Sequence, residues 1–533
     1  MKIAGRFVSE PGFSSLQTAA TDGRSLGATV YIYAAVLAPI FVAILITGQL
    51  GEFVRLGGIE SRWTLWHEAP EWFWTSAILL GRLLSVLLGV VCLYLLYRLG
   101  VKLRDRWTGR AAAVGLAVTF GFVESARLIN EDIPMLVLLL LTILLCLRYV
   151  ESGEELTFFA ACFTAGLAVA FKLTGGSAVV TIGVAYLLRA RRTETARAAL
   201  ARPKLLLGGL AVGVVTITVG FPSVLFGGPG ELLTRITHTS GQKTTLPGGV
   251  AAGIEFWLLR GYLSAFGLPL VVGVLTGVAL TVRQSLSDAE GFDDRLLLVA
   301  TPVVVTLAVF AQWRYVRVHH LLPTLPPLLL LSALGASHLN RDSRGVRVAL
   351  VVLLVTSATF SAVGTVQMAT DPRDEGTDWL RTNTEPGDTV EVYENSIADV
   401  SAVHGRPLQH YSYRENNATY NSSLVLDERA YTAWMVGMPE RQPEYIQLTG
   451  GELQYVTPGH PDREQYPRRA AYVQALLRGE YNYTVVAQFG KRGSDRSLTE
   501  RILWAGVQPE PESRESTVII LARNDTVEES HQT

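Results

Sequence analysis

The stretch Ala126-Arg127-Leu128-Ile129-Asn130-Glu131-Asp132-Ile133-Pro134 stands where one apolar run, 111–126, gives way to another, 133–149. Runs of about 20 apolar residues cross a bilayer. Ionisable groups beside hydrocarbon cost several kcal/mol unless water or partners receive them. The stretch therefore reads as a polar knot at a membrane surface, between two spans. Packing alone gives no reason for it.

Working outward, the same apolar signal recurs. The chain has 533 residues, 49% hydrophobic and 17% charged, against about 25% charged in soluble domains. Mean hydropathy is +0.29. About eleven spans are predicted, at 28–48, 79–98, 111–126, 133–149, 157–172, 174–189, 204–225, 262–282, 295–312, 319–337 and 347–366. The fold class is then a polytopic α-helical membrane protein. Its multi-span domain covers 1–370, an α/β domain covers 371–523, and 524–533 reads as a disordered end. The aromatic-rich loop 49–78 has the character of an interfacial belt. The cysteines Cys92, Cys146 and Cys162 all lie in apolar runs, so they form no disulfide framework.

Charge gives the orientation. Arg98, Lys102, Arg104, Arg106 and Arg110 follow the second span. Arg189, Arg191, Arg192, Arg197, Arg202 and Lys204 lie in 188–204, and Arg341, Arg344 and Arg347 in 338–347. If the spans alternate, these loops share one side with 150–156 and 283–294, and short basic loops face the cytoplasm. The opposite side receives 49–78, the knot, Lys172-Leu173-Thr174, 226–261, 313–318 and the whole tail. Residues 371–533 hold 26 acids and 16 bases, a net charge of −10. Four sequons, at Asn417, Asn421, Asn482 and Asn524, lie in that tail, an enrichment that suits an extracytoplasmic location. Arg far outnumbers Lys, and with the acidic tail this suits an archaeal, salt-adapted surface. Within the tail, 374–384 and 468–477 are expected to be helical, and 389–393, 483–487 and 517–521 to be strands, the last two buried.

Four polar features converge on the outer side. Glu131 and Asp132 can orient a nucleophilic hydroxyl, act as general base, or bind a divalent cation; the alternative is a solvated turn. Lys172, followed by Thr174-Gly175-Gly176, offers a cation and backbone N–H groups to a phosphate; the alternative is a snorkelling lysine. Arg314, Arg317, His319 and His320 gather at the mouth of a span, where they can hold a phosphate. Zinc on the His pair lacks a neighbouring carboxylate in sequence. The glycine-rich loop 226–261 either closes over a ligand or merely connects.

Taken in order, these motifs carry a resemblance. They run from Gly81-Arg82 through Ser85 and Gly89 to Leu99-Gly100, a basic loop, Ala126 to Pro134, Phe171-Lys172, and His319-His320-Leu321-Leu322-Pro323. The series resembles the GT-C superfamily of membrane glycosyltransferases, in particular the family 39 type related to protein mannosyltransferases and aminoarabinose lipid A transferases. The resemblance covers roughly residues 28–370. It implies inverting transfer of a sugar from a polyprenyl (dolichyl) phosphate carrier to a glycan, lipid or protein acceptor outside the cytoplasm. It makes Asp132, with Glu131 beside it, the catalytic carboxylate position. It makes Lys172 the carrier-phosphate contact and puts His319 and His320 where a basic residue precedes the Leu-Leu-Pro run. Arg314 and Arg317, read from their charge beside that run, join them in neutralising the leaving phosphate. The Glu131 and Asp132 carboxylates leave a divalent cation as the one candidate cofactor.

One departure is notable. Such enzymes open with a span and an acid-bearing outer loop, whereas this chain begins as though already within that loop. The start codon lies too late, Glu10 or Asp22 substitutes, or the first acid is missing. A transporter or flippase of lipid-linked glycans, or a non-catalytic membrane protein whose tail binds partners, are the other readings. Transporters, however, place polar groups at midplane in broken helices, and here they cluster at one face.

Overall fold

The apolar runs fold as helices because a backbone in hydrocarbon must satisfy its own hydrogen bonds. The computed structural model describes residues 27–57, 59, 62–192, 202–234, 236–237, 253–287, 293–313, 316–340, 343–393, 397–406, 428–458, 460–491, 497–507 and 517–525. Glu10, Asp22, Arg197, Arg314, Arg341, the sequons at Asn417 and Asn421, residues 235 and 238–252 of loop 226–261, and residues 526–533 lie outside them.

Among the described residues, eight helices are long and apolar enough to cross a membrane. They are Thr29–Ile46, Glu71–Leu103, Asp132–Ser152, Leu173–Arg191, Pro203–Gly220, Ile254–Ser287, Val318–Ala336 and Arg344–Asn383. Two shorter apolar helices, Glu155–Phe171 and Leu296–Phe310, stand among them. The expected span 111–126 is instead two helices, Arg106–Ala117 and Phe120–Arg127. Asp105 starts the first by accepting from the Thr108 N–H at 2.7 Å. The break falls at Val118 and Thr119, where Thr119 turns extended and its hydroxyl donates back to the Gly115 carbonyl at 2.7 Å. Ile254–Ser287 is broken too, at Gly267 with φ +72°. That backbone suits glycine alone, and Pro269 follows it.

The helix Asp132–Ser152 is central, with Ile133, Met135, Leu136, Leu139, Leu140 and Leu147 fully buried. Peripheral helices turn large apolar side chains outward, Leu79, Leu210, Leu275 and Val304 being each more than 60% exposed. Such surfaces suit lipid, and in lipid the contacts between helices come from close packing rather than from leaving water.

Ion pairs gather the basic loops at one end of the bundle. Lys102 pairs with Glu151 at 2.5 Å, Arg192 with Asp294 at 2.5 Å, and Arg295 with Glu151 at 4.0 Å. Arg202 pairs with Glu155, and Arg104 bonds His338. The five loops grouped from charge alone are therefore together in space. The first apolar helix behaves differently from a simple crossing. The Ala28 N–H donates to the Ala170 carbonyl at 2.9 Å, and Tyr33 reaches Asn130. Ile40 and Ile44 pack with Phe73 and Leu80. Both ends of Thr29–Ile46 thus lie on the knot's side. The helix Glu71–Leu103 has 33 residues, about 50 Å at 1.5 Å per residue, and its first turns extend beyond the knot with Thr29–Ile46 beside them.

The tail docks at the same end. His404 Nε2 donates to the Ala69 carbonyl at 2.6 Å, and Ser264 donates to the Val507 carbonyl at 2.6 Å. Among the described residues its sheet has four strands in the order β1 (Val390–Glu391), β2 (Tyr445–Leu448), β4 (Val518–Arg523), β3 (Tyr483–Phe489). β1 is parallel to β2, and the other pairs are antiparallel. β4 is buried as expected, but β3 lies at an edge and is largely open. Glu391, wholly buried, takes a two-pronged pair from Arg441, whose guanidinium also lies 4.0 Å from the Trp434 ring. Burial pushes the neighbouring Tyr393 and Tyr472 hydroxyls well above the usual phenol range. Arg441→Met leaves the Glu391 carboxylate uncompensated, at an expected cost of about 3–5 kcal/mol. Thermal unfolding of the purified chain reads this loss, and Glu391→Gln in the same background should restore most of it. An Arg441→Met protein as stable as wild type would show the pair to be dispensable.

Candidate active site

The knot is built by its own polar atoms. The Asn130 side chain accepts from the Asp132 N–H at 3.1 Å and donates to the Ser125 carbonyl at 3.2 Å. This Asx-type turn ends the helix Phe120–Arg127 and starts Asp132–Ser152. Asp132 then occupies the first helical turn, where an acid complements the helix dipole. Pro134 sits in the same turn, where its missing N–H costs nothing. Arg127 and Glu124 form a bidentate pair at 2.5 and 2.7 Å, and Arg127 also donates to the Met368 carbonyl at 3.2 Å. These two residues join the knot to the end of Arg344–Ala369, the apolar part of Arg344–Asn383, after which the helix resumes at Pro372.

Asp132 is 4% exposed. Its Oδ1 receives the Lys172 ammonium at 2.5 Å, and Glu131 stands 3.9 Å from the same nitrogen. The Lys172 side chain is 14% exposed and that of Glu131 41%. Lys172 terminates the helix Glu155–Phe171 in extended backbone. The chain then returns through the 3-10 turn Leu173–Gly176. A Cβ on Gly175 would stand 2.6 Å from the Ala168 carbonyl, so only glycine permits that return. The Gly175 N–H donates to the Lys172 carbonyl at 2.8 Å and is not left open for a ligand. The Thr174 hydroxyl beside it is buried, with no hydrogen-bond partner among the described residues.

The turn Val318–Thr324 packs against the helix Phe120–Arg127, the helix Asp132–Ser152 and the turn Leu173–Gly176. The structure thus brings the His319-His320 segment to the Lys172 turn. His320 is 6% exposed. Its Nδ1 accepts from the Arg317 N–H at 2.9 Å, and its ring packs on Trp313 and Phe310. That is a capping geometry. His319 is half-buried and Arg317 exposed. Arg314 lies outside the described residues.

Sequence reasoning missed Tyr33, whose hydroxyl donates to the Asn130 carbonyl at 3.3 Å. The run Val30-Tyr31-Ile32-Tyr33 was a signal for an aromatic segment, yet nothing in it distinguished Tyr33 from Tyr31. A divalent cation fits the donor set poorly. Among the described residues, no three His, Cys, Asp or Glu side chains gather around one point, and Asp132 already faces an ammonium.

Residues 75–220 match the family model of dolichyl-phosphate-mannose-protein mannosyltransferases. No curated protein matches the chain. Among solved structures, the chain is similar to ArnT from Cupriavidus metallidurans bound to undecaprenyl phosphate. Identity there is 13%, 83% of this chain and 84% of that chain are covered, and the TM-score is 0.45. It is also similar to ArnT of the same organism in the apo state, at 12% identity, 85% and 84% coverage and a TM-score of 0.43.

Proposed function

We propose that this chain is a membrane glycosyltransferase. It takes a sugar from a polyprenyl monophosphate carrier and passes it, with inversion, to an acceptor hydroxyl on the extracytoplasmic face. The observation that carries this reading is the Lys172–Asp132 pair with Glu131 beside it, lying inside the interval 75–220 that matches the mannosyltransferase family. A prenyl tail keeps its carrier in the bilayer, so the carrier's phosphate lies at the membrane surface. The knot stands at the end of the bundle opposite the basic loops, and basic loops face the cytoplasm.

Each residue has a distinct part. Glu131, the more exposed carboxylate, accepts the acceptor's proton as the acceptor oxygen bonds to the sugar's anomeric carbon. The bond from that carbon to the phosphate oxygen breaks, and its electron pair leaves with polyprenyl phosphate. Lys172 stabilises the charge developing on that phosphate, with the Thr174 hydroxyl, Arg317 and His319 around it. Asp132 fixes the ammonium in place. His320 holds the turn that carries Arg317 and His319, and Arg314 is assigned to the same phosphate by its place in sequence.

The reading is tested with membranes that hold the full chain, supplied with polyprenyl-phosphate mannose carrying a labelled sugar and with a glycan or peptide acceptor. The expected result is sugar on the acceptor and polyprenyl phosphate released one for one. Movement of intact lipid-linked sugar across the membrane, without release, would overturn it in favour of transport.

A further inference from the structure

At the basic end of the bundle, two helices begin side by side. Glu155–Phe171 and Pro203–Gly220 pack against each other, and Arg202, just before the second, pairs with Glu155 at the start of the first. Between them lies a cavity of about 520 Å³, lined by Glu155, Phe159, Arg202, Pro203, Lys204 and Leu205. Its walls divide by chemistry. Phe159, Pro203 and Leu205 are apolar, while Arg202 and Lys204 are cationic. Glu155, the one acid among the described lining residues, is already paired with Arg202. Lys204 is exposed and forms no ion pair among the described residues. Both helices start here, so first-turn N–H groups have no carbonyl partner within either helix.

The surroundings of the mouth point to the kind of ligand. Leu156 is 73%, Leu207 65% and Leu210 63% exposed. Leu207, Leu210 and Val214 follow one another at helical spacing on the outward face of Pro203–Gly220, and Val214 is also open. An apolar track thus runs from the cationic cavity along the bilayer-facing surface. A free phosphate uses the cations but leaves the track bare. A phospholipid with an anionic headgroup uses both, since basic pockets between spans on the cytoplasmic side suit anionic headgroups.

We infer that this cavity is a site for the headgroup of an acidic phospholipid. Arg202 and Lys204 hold the phosphodiester, and an acyl chain lies along Leu207, Leu210 and Val214. The site is far from the knot and does not depend on the transfer reaction.

The test uses the purified, delipidated full chain, titrated separately with dioleoyl phosphatidylglycerol, dioleoyl phosphatidylcholine and sodium phosphate. Retained lipid is counted by native mass spectrometry, and the thermal shift is recorded. Phosphatidylglycerol should bind about tenfold tighter than phosphatidylcholine, the return of roughly one charge-assisted contact. Lys204→Ala should remove most of that preference. Glu155→Gln, which frees Arg202 from its competing carboxylate, should increase it. These opposite directions separate the site from general misfolding, and each variant's affinity for phosphatidylcholine should stay unchanged. Equal binding of the two lipids, or an unchanged preference in Lys204→Ala, would overturn the site. If sodium phosphate alone reproduces the full thermal shift, the ligand is a free phosphate and the lipid assignment fails.

Discussion

In membranes carrying Lys172→Met, sugar transfer falls by about 10²–10³-fold, the usual loss when one donor aimed at a developing anion is removed. The substitution does two things at once. It takes the ammonium away from the leaving phosphate, and it leaves the Asp132 carboxylate, 4% exposed, without its 2.5 Å partner. An uncompensated buried charge costs about 3–5 kcal/mol, so the single variant also loses stability. Lys172→Met combined with Asp132→Asn separates the two effects. The neutral pair restores the fold, because both charges are gone, but it does not restore transfer. Thermal unfolding reads the first outcome, and release of polyprenyl phosphate the second. Should the double variant transfer sugar at the wild-type rate, the pair is a structural staple and the active-site assignment is wrong.

The double variant is needed because the pair was not visible in the sequence. Lys172 and the knot were each legible, since charge amid apolar residues is conspicuous and loop charge groups the turns by side. That Lys172 and Asp132 touch was not. They are 40 residues apart, and helical periodicity gives the side of a turn without its neighbours. The same limit explains Thr29–Ile46. Its length and apolarity suited a crossing, while its contacts with Ala170, Asn130 and Phe73 keep both ends on the knot's side. In the tail, β1, β3, β4 and the helices Pro372–Asn383 and Pro467–Leu477 were legible from alternation and periodicity, whereas the helices Glu428–Val436 and Leu498–Val507 were not. β2, Tyr445–Leu448, was not, because four residues between Pro443 and Gly450 carry too little pattern. β3 read as buried because an apolar run looks the same at a sheet's centre and at its edge, where Thr484 and Val485 are open. The histidines illustrate a different gap. Adjacency to arginines suggested a ligand, and only the fold showed His320 bonded to the Arg317 backbone and packed edge-on against Trp313.

Geometry also redistributes the two carboxylates, and their separation yields the second large effect. Read from sequence, Asp132 held the leading catalytic position. In the fold it is buried and bound to Lys172, whereas the Glu131 side chain is 41% exposed. A base must meet the incoming hydroxyl, and a buried, paired acid is poorly placed to do so. Glu131→Gln should therefore lower kcat by about 10²–10⁴-fold, the range for loss of a general base. Stability should stay within about 0.5 kcal/mol, as for other open surface changes, and the carrier's KM should change little. Asp132→Asn should act differently. Lys172 loses the partner that fixes it, so KM for the carrier rises and the protein becomes less stable, while some transfer survives at saturating carrier. Steady-state kinetics at varied carrier concentration distinguishes the two patterns. If Glu131→Gln keeps its kcat while a folded Asp132→Asn loses all transfer, the base is Asp132, and the Lys172 ammonium must leave it during the reaction.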